Sequence, residues 1–430
     1  MSTQNRNTEF ISRSLSAVWH PCTQMKHHEH VPLVPIVKGE GAWLIDANGN
    51  RYLDAVSSWW VNLFGHTNPR INAALKDQLD RLEHTMLAGF THEPVIELSE
   101  RLGKLTGLGH AFYGSDGASA AEIALKMSFH FWRNAGQSAK QKFVCLQGGY
   151  HGETIGALAV TDVAIFRDAY GPLLNNNLLI PSPADGIDES AAALEKLLDT
   201  RHNEIAALIV EPLVQGASGM RMYDAAWLAR ARALCTRYSV HLIADEIMTG
   251  FGRTGTMFAC EQANVKPDFM CLSKGLTGGY LPLSCVLATD DIYAAFYDDD
   301  TARGFLHSHS YTGSALACRA ALATLDIFVS DKTVGTNVTL AKKFSPHANA
   351  ICAHPRVKNF RHLGMIWAFD IASDKPAFAR EFFSAALKHG VLLRPIGKTV
   401  YFMPPYVVKE DEFAWLVKQT IATIDTVIAA

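Results

Sequence analysis

The sequence predicts an α/β protein in which a large domain with a mainly parallel sheet precedes a smaller α+β domain. Short apolar runs alternate with amphipathic stretches of helical spacing through the middle of the chain, an order typical of parallel sheets with helices on both faces. Two of the apolar runs are followed by residues of catalytic chemistry, Asp245 and Lys274. Such sheets bind ligands outside the carboxyl ends of their strands, so we expect a functional site there.

Each element of the large domain is predicted from its own pattern. Continuous apolar runs of four to six residues predict buried strands, and longer amphipathic stretches predict helices. The predicted strands cover residues 142–146, 206–210, 241–244, 269–272 and 284–288, and the predicted helices cover residues 118–132, 191–200 and 225–238.

The two ends of the chain predict shorter elements. Residues 41–46 and 51–54 flank Asn48-Gly49-Asn50 and predict a hairpin, whereas residues 1–30 are expected to be irregular. The C-terminal part predicts a helix and two strands, at residues 377–389, 391–394 and 399–402. We therefore expect an N-terminal segment that packs with the small domain, a large domain and a C-terminal small domain. Their predicted bounds are 1–65, 66–325 and 326–430.

Composition narrows the function class. The 430 residues are 48% hydrophobic and 19% charged, with a net charge of −3, so nucleic acid and anionic membranes are not expected partners. No apolar stretch approaches a membrane span, and residues 1–10 have no apolar h-region, so we expect neither a membrane anchor nor a signal peptide. The eight cysteines lack a Cys-x-x-Cys pair and are expected to be reduced thiols of a cytoplasmic protein.

Lys274 and Asp245 are the most informative pair in the chain. Lys274 lies between Ser273 and Gly275 on the loop after a predicted strand, where its amine can form an imine with a carbonyl. Asp245 ends another predicted strand and can hold a protonated ring nitrogen. Pyridoxal phosphate requires both groups, a lysine Schiff base and an acid on its pyridinium nitrogen.

Two glycine-containing loops offer further cofactor contacts. The small residues of Gly114-Ser115-Asp116-Gly117-Ala118-Ser119 lead into a predicted helix, where backbone N–H groups and the helix dipole attract an anion such as phosphate. Ser115, Asp116 or Ser119 could equally be ordinary N-caps of that helix. Tyr150 lies in Gly148-Gly149-Tyr150-His151-Gly152 after a predicted strand, and its ring could stack on a planar cofactor or simply fill a turn.

The histidine-rich segments do not predict a metal site. His307 and His309 are two positions apart, but zinc needs a third and a fourth ligand with recognisable spacing. The second histidine cluster, residues 27–30, lies in a polar region. Ser310 is better interpreted as a hydroxyl donor to phosphate.

Three residues are candidates for substrate contacts. Arg394 ends a predicted strand and suits a bidentate carboxylate contact, although a surface ion pair is an equally good interpretation of the local sequence. Trp59 and Trp60 are adjacent, and in a strand they would face opposite sides. One of them therefore could line a cavity for an apolar substrate chain, while packing is the commoner fate of tryptophan.

Thr277-Gly278-Gly279 lacks the spacing of a dinucleotide fingerprint.

With these residues in place, the chain resembles the class-III (ω-type) aminotransferases of the pyridoxal-phosphate fold-type I superfamily over nearly its whole length. The class pattern is carried by Glu211-Pro212, Ala244-Asp245-Glu246-Ile247, Gly250-Phe251-Gly252-Arg253-Thr254-Gly255 and Ser273-Lys274-Gly275. A narrower similarity, to the members that aminate 8-amino-7-oxononanoate in biotin synthesis, is carried by Trp19-His20-Pro21, Ser57-Ser58-Trp59-Trp60, Gly149-Tyr150-His151-Gly152, residues 215–221 and residues 394–398.

The resemblance implies a role for each candidate residue. Lys274 would form the Schiff base with pyridoxal phosphate and shuttle a proton, and Asp245 would hold the ring nitrogen. Gly117 and Ala118 would bind phosphate, and Tyr150 would stack on the ring and touch substrate. The remaining implied contacts are His309 and Ser310 at the phosphate of the partner subunit in a homodimer, and Trp59, Trp60, Ser308 and Arg394 at the substrate, with Arg394 on its carboxylate.

The resemblance also implies the reaction, with S-adenosylmethionine as the expected amino donor. Lysine as donor is an alternative, as is another ω-aminotransferase activity on lysine, ornithine, 4-aminobutyrate or polyamines. A cofactor-binding protein without turnover, and an aminomutase or decarboxylase on the same scaffold, are more distant alternatives.

Four positions depart from the usual pattern of the family. Cys22 stands where Tyr is usual, which removes an aromatic wall and a hydroxyl near the substrate. Ala118 replaces a usual Ser and keeps only the backbone N–H. Ser308-His309 differs from a Gly-Pro of some members, and Ser314 stands where Asn is common. None of them changes Lys274 or Asp245.

Overall fold

The computed structural model describes residues 5–31, 33–175 and 177–429. They divide into two units. The first unit comprises the chain up to Pro69, Thr339–Arg361 and the chain from Ile366 onward, and the second unit comprises Arg70–Val338 and His362–Met365. The domain bounds predicted from the sequence, at residues 65 and 325, stay a prediction.

The strands and helices of the described residues are numbered in chain order. The strands are β1 Ile36–Glu40, β2 Trp43–Asp46, β3 Arg51–Asp54, β4 His110–Gly114, β5 Lys142–Leu146, β6 Leu178–Ile180, β7 Ile205–Val210, β8 Val214–Gln215, β9 Arg221–Met222, β10 His241–Asp245, β11 Phe269–Leu272, β12 Ser284–Ala288, β13 Val357–Leu363, β14 Ile366–Ile371, β15 Val391–Leu392 and β16 Thr399–Phe402. The α-helices are α1 Arg6–Ala17, α2 Ser57–Trp60, α3 Pro69–Leu79, α4 Glu93–Thr106, α5 Gly117–Asn134, α6 Ile155–Ala159, α7 Ala164–Arg167, α8 Ile187–Arg201, α9 Ala225–Arg237, α10 Asp290–Ala294, α11 Ala315–Ser330, α12 Thr333–Asn349, α13 Phe378–Lys388 and α14 Glu410–Ala429. The 3-10 helices are Met25–Glu29, Asp168–Leu173, His202–Glu204, Ala259–Ala263, Lys274–Thr277, Thr301–Arg303 and Ala350–Ala353.

A mainly parallel sheet forms the centre of the second unit. In the described chain it has seven strands in the order β4-β12-β11-β10-β7-β5-β6. Strand β12 runs antiparallel to both of its neighbours, and the strands from β11 to β6 are parallel. Every residue of β7, β10, β11 and β12 is buried, which explains why these strands are continuous apolar runs.

One helix covers the middle of this sheet and forms its main core. Ala120, Ile123 and Ala124 of α5 are fully buried against apolar side chains of the sheet. The contacted side chains include those of Ile209 in β7 and Ile243 in β10. Removing such surface from water contributes about 25 cal/mol per Å² of apolar area. The sheet and α5 therefore give the loops at the carboxyl ends of the strands a rigid base.

Among the described residues, the first unit contains two sheets. The N-terminal hairpin pairs β2 with β3 antiparallel, as the Asn48-Gly49-Asn50 turn predicts, and β1 extends it on the other side of β2. Strand β15 adds to β3 in parallel register, with Val391 opposite Leu53. The other sheet has the order β13-β14-β16, and β14 and β16 are antiparallel.

The expectation that residues 1–30 are irregular is wrong. Residues 6–17 form α1, in which no residue is buried. The Asn5 side chain accepts a hydrogen bond from Thr8 N and caps the helix. Asn7 Nδ2 donates to Asp46 Oδ2 at 2.8 Å. The helix is therefore tied to the hairpin by polar contacts, which an apolar pattern does not predict.

The tryptophan pair does not lie in a strand. The four-residue element α2, Ser57–Trp60, is not a regular right-handed helix but a turn with four consecutive positive φ angles, from 46° to 74°. Trp60 is 6% exposed, and its Nε1 donates to Tyr401 Oη at 3.0 Å, whereas Trp59 is 43% exposed. The two rings therefore do have different environments, but a left-handed turn separates them rather than strand alternation.

No helix within the described residues is both long and apolar enough to span a bilayer. The eight cysteines are free thiols, and burial raises the pKa of Cys145, Cys235 and Cys318 to about 12. Six of the eight are buried, which is consistent with structural rather than reactive thiols. Across the ranges that the structure describes, no three His, Cys, Asp or Glu side chains gather as metal ligands.

Candidate active site

Lys274 begins the short 3-10 helix that directly follows β11. Its φ of 43° is in the left-handed region, and the loop is held by Ser273 Oγ, which donates to Leu283 O at 2.8 Å. Burial lowers the pKa of Lys274, while the carboxylates of Asp245 and Glu211 act in the opposite direction. A lowered pKa increases the neutral amine fraction, which is the form that attacks a carbonyl.

Asp245 lies at the carboxyl end of the neighbouring strand β10. It is opposite Cys271 of β11, three residues before Lys274, so the sheet brings the two predicted residues to the same edge. His151 Nδ1 donates to Asp245 Oδ2 at 2.7 Å, and Ile247 N donates to Asp245 Oδ1 at 3.2 Å. Asp245 is 4% exposed and His151 3% exposed. These donors replace the water that a carboxylate loses on burial.

Glu211 supplies a second buried carboxyl group at this edge. It follows β7 and accepts hydrogen bonds from Tyr150 N at 3.0 Å and from Gly216 N at 2.9 Å. Burial raises the pKa of Glu211 to about 7, although the nearby His151 acts to lower it. The bond to Tyr150 N fixes the backbone of the loop that carries Tyr150 and His151.

Tyr150 is half-buried at the carboxyl end of β5. Its Oη donates to Glu153 Oε1 at 3.0 Å, and its ring lies 5.4 Å from the ring of Phe166 between centroids. The loop after β5 therefore offers an aromatic face at the same edge of the sheet as Asp245.

The first turn of α5 provides backbone donors. The Asp116 side chain accepts from Ser119 N at 2.8 Å, and the Asp116 carbonyl accepts from Ala120 N at 3.1 Å. The N–H groups of Gly117 and Ala118 remain for an anion, with the helix dipole behind them. A Cβ on Gly152 would come within 2.5 Å of the Ala118 Cβ, so the loop after β5 passes directly over this turn.

Ser308, His309 and Ser310 lie on the loop before α11. Ser308 and Ser310 are exposed. His309 Nε2 is 3.0 Å from His307 Nε2, and His84 Nε2 is 2.9 Å from Ser310 O. Their predicted role at a partner subunit's phosphate stays a prediction.

The first unit holds Trp59, Trp60 and Arg394. The Arg394 guanidinium lies over the Trp59 ring, with Cζ 4.8 Å from the ring centroid. Arg394 is exposed, and so is one side of Trp59. The arrangement presents a cation next to an apolar surface and is held by a cation–π contact.

Sequence reasoning missed the roles of His151 and Glu211, although both belong to quoted motifs. His151 follows Tyr150 on a loop at a strand end, and Glu211 follows a run of six buried apolar residues. Their positions after predicted strands could therefore have identified both residues as site candidates. Their partners are 94 and 61 positions away, and only the tertiary fold shows them.

The groups of the second unit fit pyridoxal phosphate. An amine of lowered pKa and a buried, hydrogen-bonded carboxylate lie at adjacent strand ends. The N-terminus of α5, with two available N–H groups, suits a phosphate. Because Gly152 has no Cβ, the space next to Ala118 at this N-terminus stays open. The fold and these groups define a pyridoxal-phosphate-dependent enzyme.

Comparison with known proteins gives the family. The model of the aminotransferase class-III family matches residues 24–424. The chain is 47% identical to adenosylmethionine-8-amino-7-oxononanoate aminotransferase of Helicobacter pylori, over 98% of this chain and 99% of the relative. It is 39% identical to the Geobacter sulfurreducens protein of the same name, over 95% and 96%. The chain therefore belongs to the class-III aminotransferases.

Solved structures agree with this assignment. The structure of adenosylmethionine-8-amino-7-oxononanoate aminotransferase from Methanocaldococcus jannaschii has a TM-score of 0.94, with 34% identity, and covers 97% of this chain and 99% of that one. An ω-transaminase from Pseudomonas jessenii in complex with PMP has a TM-score of 0.92 at 26% identity, over 97% and 98%. The predicted pyridoxal-phosphate fold type I is thereby confirmed.

Proposed function

We propose that the protein transfers an amino group to 8-amino-7-oxononanoate, which gives 7,8-diaminononanoate for biotin biosynthesis, with S-adenosylmethionine as the donor. The observation that carries the choice of acceptor is the Arg394 guanidinium on the Trp59 ring, 4.8 Å from its centroid. The oxononanoate has a carboxylate at the end of a long aliphatic chain. A cation on an aromatic surface suits both parts of that molecule. The names of the full-length relatives support the same substrate.

The second unit supplies the groups for the chemistry. Pyridoxal phosphate, when bound, supplies an aldehyde that carries amino groups and a ring that draws off carbanion charge. Lys274 attaches the cofactor through its ε-amine and, once released, moves a proton at the substrate carbon. Asp245, with His151 behind it, keeps the ring nitrogen protonated. Gly117 and Ala118 hold the phosphate through their N–H groups.

Other residues position the ring and the substrate. Tyr150 stacks on the cofactor ring and contacts the substrate. Trp59, Trp60 and Ser308 contact the substrate body, and Arg394 binds its carboxylate. The Trp60 side chain is largely buried, whereas Trp59 is exposed.

We further propose a homodimer in which His309 and Ser310 complete the phosphate site of the partner subunit. Exposed apolar side chains flank this loop: Leu306 is 80% exposed and Tyr311 67%. Such side chains are typical of surfaces that a partner covers. A cytoplasmic location is proposed as well, and the free thiols support it.

Mixed dimers test the shared site. Subunits carrying Lys274→Ala and subunits carrying Ser310→Ala with His309→Ala are each expected to have very low activity. If the loop acts on the partner, unfolding and refolding them together restores activity, because one site of each mixed dimer then has every group intact. If the loop serves its own subunit, the mixture stays inactive.

A donor and acceptor panel tests the reaction. The purified yellow enzyme is mixed with S-adenosylmethionine, lysine, ornithine, 4-aminobutyrate and a polyamine, and the loss of the visible cofactor band is followed. Mass spectrometry then detects 7,8-diaminononanoate after addition of the oxononanoate. Loss of the band with lysine and not with S-adenosylmethionine would replace the donor. Absence of the diamine product with every donor would refute the proposed acceptor.

Arg394→Ala tests the carboxylate contact. The KM for 8-amino-7-oxononanoate is expected to rise by about 10- to 150-fold, since a charge-assisted pair contributes about 1.5–3 kcal/mol. The donor KM is expected to stay within about two-fold, because the donor half-reaction does not use this contact. An unchanged KM for the oxononanoate would move its carboxylate to another residue.

A further inference from the structure

The turn that carries Trp59 is backbone-strained. Ser57, Ser58, Trp59 and Trp60 have φ angles of 51°, 46°, 73° and 74°. None of the four is glycine. In any residue that has a Cβ, the left-handed conformation brings this atom close to the following carbonyl oxygen. A run of this kind persists only where its surroundings over-determine it, and such strain concentrates at functional sites.

The Asp54 side chain fixes the turn through hydrogen bonds to Ser58. Its carboxylate is fully buried at the end of β3. Asp54 Oδ1 accepts from Ser58 N at 2.9 Å, and Asp54 Oδ2 accepts from Ser58 Oγ at 2.7 Å. His66 Nε2 lies 3.0 Å from Asp54 Oδ2 and orients the carboxylate from the other side. Both oxygens are therefore used, and two of the three bonds fix the residue next to Trp59.

Two more contacts anchor the ends of the turn. Ser57 Oγ donates to Met403 O at 2.7 Å, and Trp60 Nε1 donates to Tyr401 Oη at 3.0 Å. These contacts hold the residues on either side of Ser58 and Trp59 and oppose a return to the right-handed conformation. From φ angles of 46° and 73°, a return to the right-handed value would rotate φ by about 110° and 135° and turn the Trp59 ring away from the position in which Arg394 lies on it.

We infer that Asp54 is a positioning residue of the acceptor carboxylate site. Through Ser58 it fixes the left-handed turn, the turn fixes the Trp59 ring, and the ring orients the guanidinium of Arg394. The inference rests on the proposed function, in which Arg394 binds the carboxylate of an aliphatic oxo acid. A pre-oriented guanidinium loses less side-chain freedom when it binds a carboxylate. The strain in the turn thus serves recognition of the acceptor.

Two substitutions test the chain of contacts. Asp54→Asn keeps the shape and one acceptor oxygen, and Ser58→Ala removes only the hydroxyl bond and keeps the N–H bond. Each is expected to raise the KM for 8-amino-7-oxononanoate about 10-fold, the size of one hydrogen bond to a charged group. The donor KM and the rate of the donor half-reaction are expected to change by less than about two-fold.

Asp46→Asn is the matched control. Asp46 is also a buried aspartate of the first unit, 1% exposed, and accepts from Asn50 N at 2.8 Å and from Tyr52 Oη at 3.0 Å. It has no bond to the Ser57–Trp60 turn. The control is expected to lower the unfolding temperature and to leave the oxononanoate KM unchanged.

The double variant Ser58→Ala with Arg394→Ala separates the possible outcomes. If Asp54 acts through Arg394, adding Ser58→Ala to Arg394→Ala gives no further rise in the oxononanoate KM. If Arg394→Ala raises this KM while Asp54→Asn and Ser58→Ala do not, the positioning role is refuted and the proposed function stands. If Arg394→Ala has no effect, the proposed carboxylate contact fails first, and the inference falls with it.

Two further results complete the test. Should Asp54→Asn not fold, Ser58→Ala decides alone, since it leaves the buried carboxylate in place. Equal rises of both substrate KM values, in Asp54→Asn and in Asp46→Asn alike, would show a structural role only and overturn the inference.

Discussion

The hydrogen bond between His151 and Asp245 is expected to support the donor half-reaction. His151→Phe keeps a ring of similar size but removes the N–H that Asp245 Oδ2 accepts at 2.7 Å. Both side chains are at most 4% exposed, so water does not replace the lost donor. A bond from a donor to a buried charged group contributes about 1.5–3 kcal/mol. Asp245 must keep the cofactor ring nitrogen protonated during the donor half-reaction. If its hydrogen bond from His151 is lost, the rate of this half-reaction is expected to fall by about 10- to 150-fold.

The assay is a single turnover. Holoenzyme and variant are mixed with saturating donor in a stopped-flow instrument, and the decay of the visible cofactor band gives the rate constant. His110→Phe is the matched control, because His110 Nδ1 also lies 3.2 Å from an aspartate, Asp290, but these side chains are 46% and 80% exposed. The control is expected to leave the rate unchanged, since exposed pairs contribute little. A His151→Phe rate within two-fold of the parent would refute the role given to this bond.

Two further predictions concern the same edge of the sheet. Gly152→Ala places a Cβ 2.5 Å from the Ala118 Cβ at a φ of 124°, so the loop must shift away from the first turn of α5. Because such a clash costs about 1–3 kcal/mol, we expect the affinity for the cofactor to fall by about 10-fold. A fluorescence titration of the apoenzyme with the cofactor measures this affinity. Unchanged affinity would mean that the loop gives way without disturbing the phosphate site. Glu211→Gln tests the raised pKa of the Glu211 carboxyl group. This pKa is about 7 in the folded protein, against an ordinary value of 4.5. Between these pH values the folded protein keeps a proton on Glu211 that the unfolded chain releases. The stability from this group is therefore present below pH 4.5 and is lost as the pH rises to about 7. The loss amounts to about 3 kcal/mol at most, so the urea midpoint of the Gln apoenzyme should depend less on pH in this window. An identical pH dependence in the two proteins would contradict the raised pKa.

The buried strands could be predicted from the sequence because each is a continuous apolar run. The runs at residues 142–146, 269–272 and 284–288 are strands with these same bounds in the structure. A strand with both faces covered needs apolar side chains on each, so its sequence alone marks its length. The amphipathic stretches at residues 118–132 and 225–238 likewise correspond to α5 and α9, to within two residues.

The elements that were missed depend on polar contacts between distant parts of the chain. Helix α1 buries none of its residues and is tied to Asp46, 39 positions from Asn7. The left-handed turn at Ser57–Trp60 depends on Asp54 and on Met403, and no local propensity favours four positive φ angles without glycine. Hydrophobic periodicity shows only which side chains are apolar. It therefore does not predict hydrogen bonds between polar side chains that are distant in sequence.

The candidate site divides in the same way. The placement of Lys274 and Asp245 at neighbouring strand ends was predictable, because parallel strands align their carboxyl ends. The donor to Asp245 was not, since His151 is 94 positions away and reaches the carboxylate only through the loop after β5. The roles of the substrate residues came from resemblance and stay proposals.

The central claim is that the ε-amine of Lys274 carries the cofactor. Lys140 is the informative competitor, because burial lowers its pKa to about 8, yet its Nζ already donates to the carbonyls of His202, Ile205 and Ser239 at 2.8 to 3.1 Å. Borohydride reduction of the holoenzyme followed by peptide mass spectrometry locates the attachment. The account predicts one cofactor per chain, on the peptide that contains Lys274. Attachment to Lys140 or another lysine, or recovery of an unmodified Lys274 peptide from fully yellow enzyme, would contradict it.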